Sequence, residues 1–146
     1  MVARAKAKGL EGKTESITMR LSPKLKFGLE LLARQRQQPV SVIATELFEA
    51  AIREQLTWKS PISVQPGGRP ISLLDHVWDP LEPDRLLKLA EAAPQLLSDD
   101  ERLLQKVIQE SPQYRAEGGA PAPAVVREHW KEISDAAASL KRTYST

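Results

Sequence analysis

Cysteine is absent from this 146-residue chain. That excludes disulfides, thiol catalysis and thiolate metal sites, and it fits a reducing cytoplasm, the expected location. Histidine is nearly absent. His76 and His129 stand far apart in sequence. Without Cys or a further His they cannot supply a zinc ligand set, and both read as structural or solvent-facing. No apolar run approaches the roughly 18 residues of a membrane span, so no membrane partner is expected. The first residues are basic but lack an apolar core after them, so they do not read as a secretory signal. Gly67-Gly68 and Gly118-Gly119 neither follow a strand nor open a helix, as a phosphate loop must, and read as linkers. Asp75-His76 has no Ser or Cys in a nucleophile context. Asp99-Asp100-Glu101 is explained by helix capping. No catalytic residue, metal ligand or cofactor is assigned, and no enzyme is expected.

What is present is ordinary in bulk and uneven in placement. Hydrophobic residues make up 41% of the chain and charged residues 27%, normal for a globular protein. The length allows one domain or two small ones. The formal net charge is only +2. Residues 1–14 carry four basic groups against one acidic. Residues 15–56 carry six against five, and the remainder eleven against thirteen. Positive charge therefore gathers at the front, which bears on partners rather than on fold.

Residues 15–56 are the informative stretch. In Glu15-Ser16-Ile17-Thr18-Met19-Arg20-Leu21, the apolar Ile17, Met19 and Leu21 alternate with Ser16, Thr18 and Arg20. That is the period-2 pattern of a half-buried strand. Ser22-Pro23 then supplies an N-cap and a first-turn proline. Leu25, Leu29 and Leu32 recur at i, i+4 and i+7, one stripe of a helix. After Pro39, the residues Val40, Ile43, Ala44, Leu47, Phe48 and Ala51 mark a second amphipathic helix. One strand has no ladder partner in its own chain. About 42 residues also bury too little surface to fold alone. The expected remedy is an intertwined dimer, its two strands paired antiparallel over four helices.

The rest of the chain reads as connectors and helices. Residues 1–14 form a flexible basic arm, with Lys13 beside the strand. Residues 57–70 form a linker, broken by Pro61, Pro66 and Pro70. Residues 71–146 form a small all-helical C-terminal region. A short helix is expected over 71–78 and another opens near Pro83, lined by Leu86, Leu87, Leu89 and Ala90. Ser98 to Glu101 carries a capping-box signature, followed by the stripe Leu103, Leu104, Val107 and Ile108. Residues 115–123 read as a connector. A last helix is expected from Ala124 to Lys141, with Val126, Trp130, Ile133, Ala137 and Leu140 near a heptad seam.

The run Ile17-Thr18-Met19-Arg20-Leu21-Ser22, the Leu25/Leu29/Leu32 spacing with Ala33, and Pro39-Val40-Ser41 leading into Ile43 and Leu47 resemble the ribbon-helix-helix family, the MetJ/Arc/CopG type of DNA-binding protein. The resemblance covers about residues 14–56. It implies that Ser16, Thr18 and Arg20 contact bases from a two-stranded ribbon, and that Val40 and Ser41 hold a phosphate at the start of the second helix. Lys24 and Lys13 are further candidates for phosphate contacts, with Lys26 beside them. Two departures stand out. Gln37 and Gln38 occupy the turn where glycine is usual, and Pro39 stands where Ser or Thr often opens the second helix.

The expected fold is therefore mainly α, a ribbon-helix-helix domain followed by a helical region that serves oligomerisation or binds a protein partner. The expected function is sequence-specific binding of double-stranded DNA by a homodimer, as a transcriptional repressor of bacterial, plasmid or phage origin. Two alternatives remain open: an antitoxin that autoregulates its operon, and an accessory factor in plasmid partition or conjugative transfer.

Overall fold

The structure is a computed structural model that describes residues 14–56 and 72–145. The arm through Lys13 and the whole of the expected 57–70 linker lie outside the described residues. The chain divides into two compact units, with the boundary between His76 and Val77. The described residues are mainly helical. None of their helices is long and apolar enough to cross a membrane.

In the first unit, residues 14–21 belong to no helix and pair with no strand among the described residues. A ladder needs a neighbouring strand, and one copy of this segment cannot supply it. Helix α1 spans Pro23–Arg36. Its N-cap Ser22 is extended, and the Leu25 N–H donates to Ser22 Oγ at 3.3 Å. Pro23 at the first helical position forfeits an N–H that would be unpaired anyway.

The helix ends at Gln37, which sits in the left-handed region at φ 53° and ψ 43°. The Gln37 N–H returns to Arg34 O at 3.3 Å and the Gln38 N–H to Ala33 O at 3.0 Å. This closing pattern favours glycine at the left-handed position. Glutamine fills it here at a conformational cost. Helix α2 spans Val40–Gln55 and packs on α1. The shared core of the pair is small, with Ala33 and Ile43 as its buried residues. A short helix α3, Leu73–Val77, is tied to the end of α2. The Leu73 N–H and Ser72 Oγ–H both donate to Leu56 O, at 2.6 and 3.3 Å. The Arg53 guanidinium pairs with Asp75 at 3.4 Å.

The second unit holds α4 (Glu82–Ala92), α5 (Asp99–Glu110), α6 (Pro123–Glu128) and α7 (Trp130–Tyr144), with single 3-10 turns at Pro94–Leu96 and Pro112–Tyr114. Each helix start has a local cause. Pro83 lies in the first turn of α4. Ser98 and Glu101 form a reciprocal capping box on α5. The Glu101 N–H donates to Ser98 Oγ at 3.2 Å, and the Ser98 N–H to Glu101 Oε2 at 2.7 Å. The acidic first turn of α5 also suits the positive end of its dipole. Pro123 opens α6.

The core of this unit is contiguous: Leu86, Leu97, Val107, Ile108, Tyr114, Val126, Ile133 and Ala137. Ile108, Val126 and Ile133 are almost or wholly sealed from solvent.

One expectation is corrected. The single helix over Ala124 to Lys141 is two helices, broken at His129, whose φ of −100° and ψ of 18° leave the helical region. Hydrogen bonding nearly carries through the break, with the His129 N–H on Val125 O and the Ile133 N–H on His129 O, each at 3.0 Å. The bend seats the His129 ring 5.8 Å from that of Tyr114. Val126 on α6 and Ile133 on α7 belong to one core. The 115–123 connector is also more ordered than its composition implies. The Ala116 N–H donates to Ala120 O at 2.8 Å, with Gly119 at φ 81° in the turn, and Arg115 pairs with Pro121 in an isolated antiparallel bridge.

Candidate nucleic-acid interface

The expected base readers are all open to solvent. Ser16, Thr18 and Arg20 are exposed. Their apolar neighbours are uncovered as well, Ile17 at 89% and Met19 at 53%, while Leu21 is half-buried. Residues 16–20 are thus uncovered by the described residues. The apolar exposure continues onto the helices through Leu25, Val40, Leu47, Phe48 and Ile52. Leu29, Leu32 and Ala44, from the expected stripes, are half-buried. The second unit differs: of its large apolar residues only Trp78, Leu96 and Tyr144 are exposed among the described residues.

On the first unit Arg36 Nη1 pairs with Glu46 Oε2 at 3.3 Å, and Arg53 Nη2 with Glu49 Oε1 at 3.0 Å. Near the expected ribbon, Arg20, Lys24 and Lys26 are exposed and form no ion pair among the described residues. Exposed cations without an acidic partner are open to a polyanion.

The start of α2 has a related feature. Its N-cap is Pro39, which has no side-chain acceptor. The first N–H groups that find a partner are those of Val42 and Ile43, both on Pro39 O, at 3.1 and 3.3 Å. Among the described residues the N–H groups of Val40 and Ser41 have no acceptor. Helix geometry leaves such groups open and aims them outward with the dipole's positive end, which suits a phosphate. Pro39 offers no side-chain acceptor that could compete for either donor. Val40 and Ser41 are exposed there.

No group of acidic or histidine side chains suited to holding a metal occurs among the described residues. His129 Nδ1 lies 3.2 Å from Glu132 Oε2, a contact within one turn of helix. Asp99, Asp100 and Glu101 form the first turn of α5, and Asp100 Oδ1 also meets Lys141 Nζ at 2.9 Å. The Lys141 ammonium is raised above its ordinary pKa by that hydrogen bond and charge.

Two features had no signal in the sequence. Phe27 and Leu31 are exposed on α1 although neither belongs to the Leu25/Leu29/Leu32 stripe. A cavity of about 530 Å³ lies within the second unit, between α4, α5 and the segment around Pro121. Its lining comes from three separate stretches, so no local pattern announces it.

Comparisons with protein-family models, with curated proteins and with solved structures find no match for this chain.

Proposed function

We propose that this chain is a sequence-specific DNA-binding protein that acts as a homodimer, its two copies of residues 15–21 pairing as an antiparallel ribbon in the major groove. The observation that carries the reading is the uncovered segment itself. Ile17 and Met19 are exposed on one side and Ser16, Thr18 and Arg20 on the other. An apolar row without cover and a backbone without a ladder partner are both completed by a second copy of the same segment. Once Ile17, Met19 and Leu21 are buried between copies, Ser16, Thr18 and Arg20 remain as the outward face.

A two-stranded ribbon fits the major groove, and an Arg there can donate two hydrogen bonds to guanine O6 and N7. Ser16 and Thr18 can donate or accept at neighbouring bases. The vacant N–H groups of Val40 and Ser41 would fix the register on the phosphate backbone, with Lys24 and Lys13 adding sequence-independent attraction. The role that fits is a transcriptional repressor. The second unit has a continuous core of its own, unlike a tail that needs a toxin to order it, and this favours the regulator over the antitoxin.

The test is to capture genomic fragments with the full-length chain, footprint the recovered sites and repeat the binding with Arg20→Ala. A short palindromic footprint is expected. Arg20→Ala should weaken specific binding by about 1–3 kcal/mol and relax preference at one base pair per half-site. Arg36→Ala, which removes a cation already paired with Glu46, should change affinity far less. Equal affinity and unchanged preference in Arg20→Ala would overturn the assignment. Footprints at promoters rather than at partition or transfer sites would support repression.

A further inference from the structure

The cavity in the second unit, about 530 Å³, is of the size that holds a small molecule. Its walls are apolar: Leu87 and Ala90 from α4, Ile108 from α5, and Pro121 from the segment before α6. Leu87 and Ala90 are half-buried, so the core leaves part of this apolar surface uncovered. The Pro121 wall is held by backbone hydrogen bonds. The Ala116 N–H donates to Ala120 O and the Ala122 N–H to Tyr114 O, each at 2.8 Å. A wall already in place spares a ligand the cost of ordering it.

The charged groups of the lining are engaged with partners or with water. Asp84 Oδ2 meets Arg127 Nη1 at 3.5 Å, and Asp84 Oδ1 is closed to solvent and so to any ligand. Lys88 Nζ lies 2.9 Å from Asp79 Oδ2. Glu91 is exposed. A charged ligand would shed its hydration for no unpaired counter-charge inside, a cost that a neutral ligand escapes.

Gln105 and Gln109 differ from these groups. They lie one turn apart on α5, both line the cavity, and their carboxamides form no hydrogen bond among the described residues. Each carboxamide offers an acceptor and N–H donors side by side. Gln105 is half-buried and Gln109 exposed, so the Gln105 carboxamide is the one more shielded from competing water.

We propose that this cavity binds a small uncharged molecule, a compact apolar body bearing a carboxamide or lactam. The ligand's C=O accepts from the Gln105 carboxamide N–H, and its N–H donates to the Gln105 carbonyl. The apolar body lies against Leu87, Ala90, Ile108 and Pro121. Nothing in the argument depends on DNA binding by the first unit.

The test uses the full-length chain with labelled methyl groups, titrated separately with benzamide, benzoate, benzylammonium and toluene. Saturating shifts at the Leu87, Ala90 and Ile108 methyls are expected with benzamide. Benzoate and benzylammonium should bind about tenfold more weakly, since neither finds an unpaired counter-charge inside. Toluene, which lacks the amide, should bind about fivefold more weakly than benzamide. Gln105→Leu should remove the advantage of benzamide over toluene, and Ala90→Phe should block both by filling the space. The absence of a saturating shift, binding of either charged probe as tight as that of benzamide, or an equal affinity for benzamide and toluene in the unmodified chain would each overturn the proposal. So would an undiminished preference for benzamide in Gln105→Leu. If that variant fails to fold, the four probes on the unmodified chain still decide.

Discussion

Lys88 Nζ lies 2.9 Å from Asp79 Oδ2, and this pair fastens the segment entering α4 to the second turn of that helix. Asp79 is further held by the Leu81 N–H, which donates to its Oδ1 at 2.8 Å. Five residues on, Asp84 has the opposite circumstances. Burial alone would raise both carboxyls. At Asp79 it is outweighed by the Leu81 and Lys88 hydrogen bonds and by the charges of Lys88 and Arg127, so its pKa is lowered. At Asp84 burial prevails and the pKa is raised.

The two acids should therefore give opposite pH slopes. A carboxyl lowered in the folded state contributes stability above its unfolded pKa and loses it as pH falls through the folded value. Asp79→Asn should cost about 1–2 kcal/mol near neutral pH, with the difference from wild type shrinking in strong acid. A carboxyl raised in the folded state binds its proton more readily there than in the unfolded chain. Its charged form burdens the fold above the folded pKa, and the burden lifts as pH falls toward the ordinary carboxyl value. Asp84→Asn should make stability less dependent on pH just above that value. Urea denaturation across the acid range, with both variants, measures each slope.

Gln37→Gly should stabilise the first unit. The left-handed conformation costs an L-residue roughly 1–2 kcal/mol, and glycine escapes that cost. Glycine also loosens the unfolded chain, which takes back about 0.4–1 kcal/mol. A net gain of about 0.5–1 kcal/mol is expected. Gln37→Ala, which keeps a Cβ at φ 53°, should show none of it. Thermal unfolding of both variants at one fixed protein concentration checks this.

Dimer formation should be visible in the concentration dependence of stability. If the first unit folds by pairing, its melting temperature should rise with protein concentration, as for any fold stabilised by association. Ile17→Asp should abolish that rise and yield a monomer in sedimentation, because a carboxylate would replace an apolar contact between copies. A concentration-independent melt in the unmodified chain would contradict the pairing.

The second unit should respond as an autonomous core does. Ile133 is wholly buried. Ile133→Ala should cost about 2–5 kcal/mol. Ser98→Ala, which breaks the capping box on α5, should cost about 1 kcal/mol. The amide exchange of α5 and α7 should rise in both variants, since these helices share an extensive contact.

Helix starts and stops were legible because each is decided by a few adjacent residues. Ser22-Pro23 caps α1, and Ser98 and Glu101 cap α5. The stripes around Leu86, Ile108, Val126 and Ile133 marked the inner faces of their helices by period alone. The sorting of residues 16–21 into polar and apolar rows was equally plain. The break at His129 was not. The seam Val126, Trp130, Ile133, Ala137 runs unbroken through it in sequence, while in the structure the break sets the His129 ring 5.8 Å from that of Tyr114.

The primary sequence by itself determined most of the helical segments and their caps, because these rest on interactions within a few residues. The tertiary structure alone decided that Arg36 pairs with Glu46 and Arg53 with Asp75 while Arg20 and Lys24 pair with no acid among the described residues, and that Asp84 meets Arg127 beside a cavity. Those outcomes depend on side chains ten to more than forty residues apart coming within a few ångströms. Periodicity names the face a residue occupies; only the packed chain chooses which charge or cavity stands opposite it.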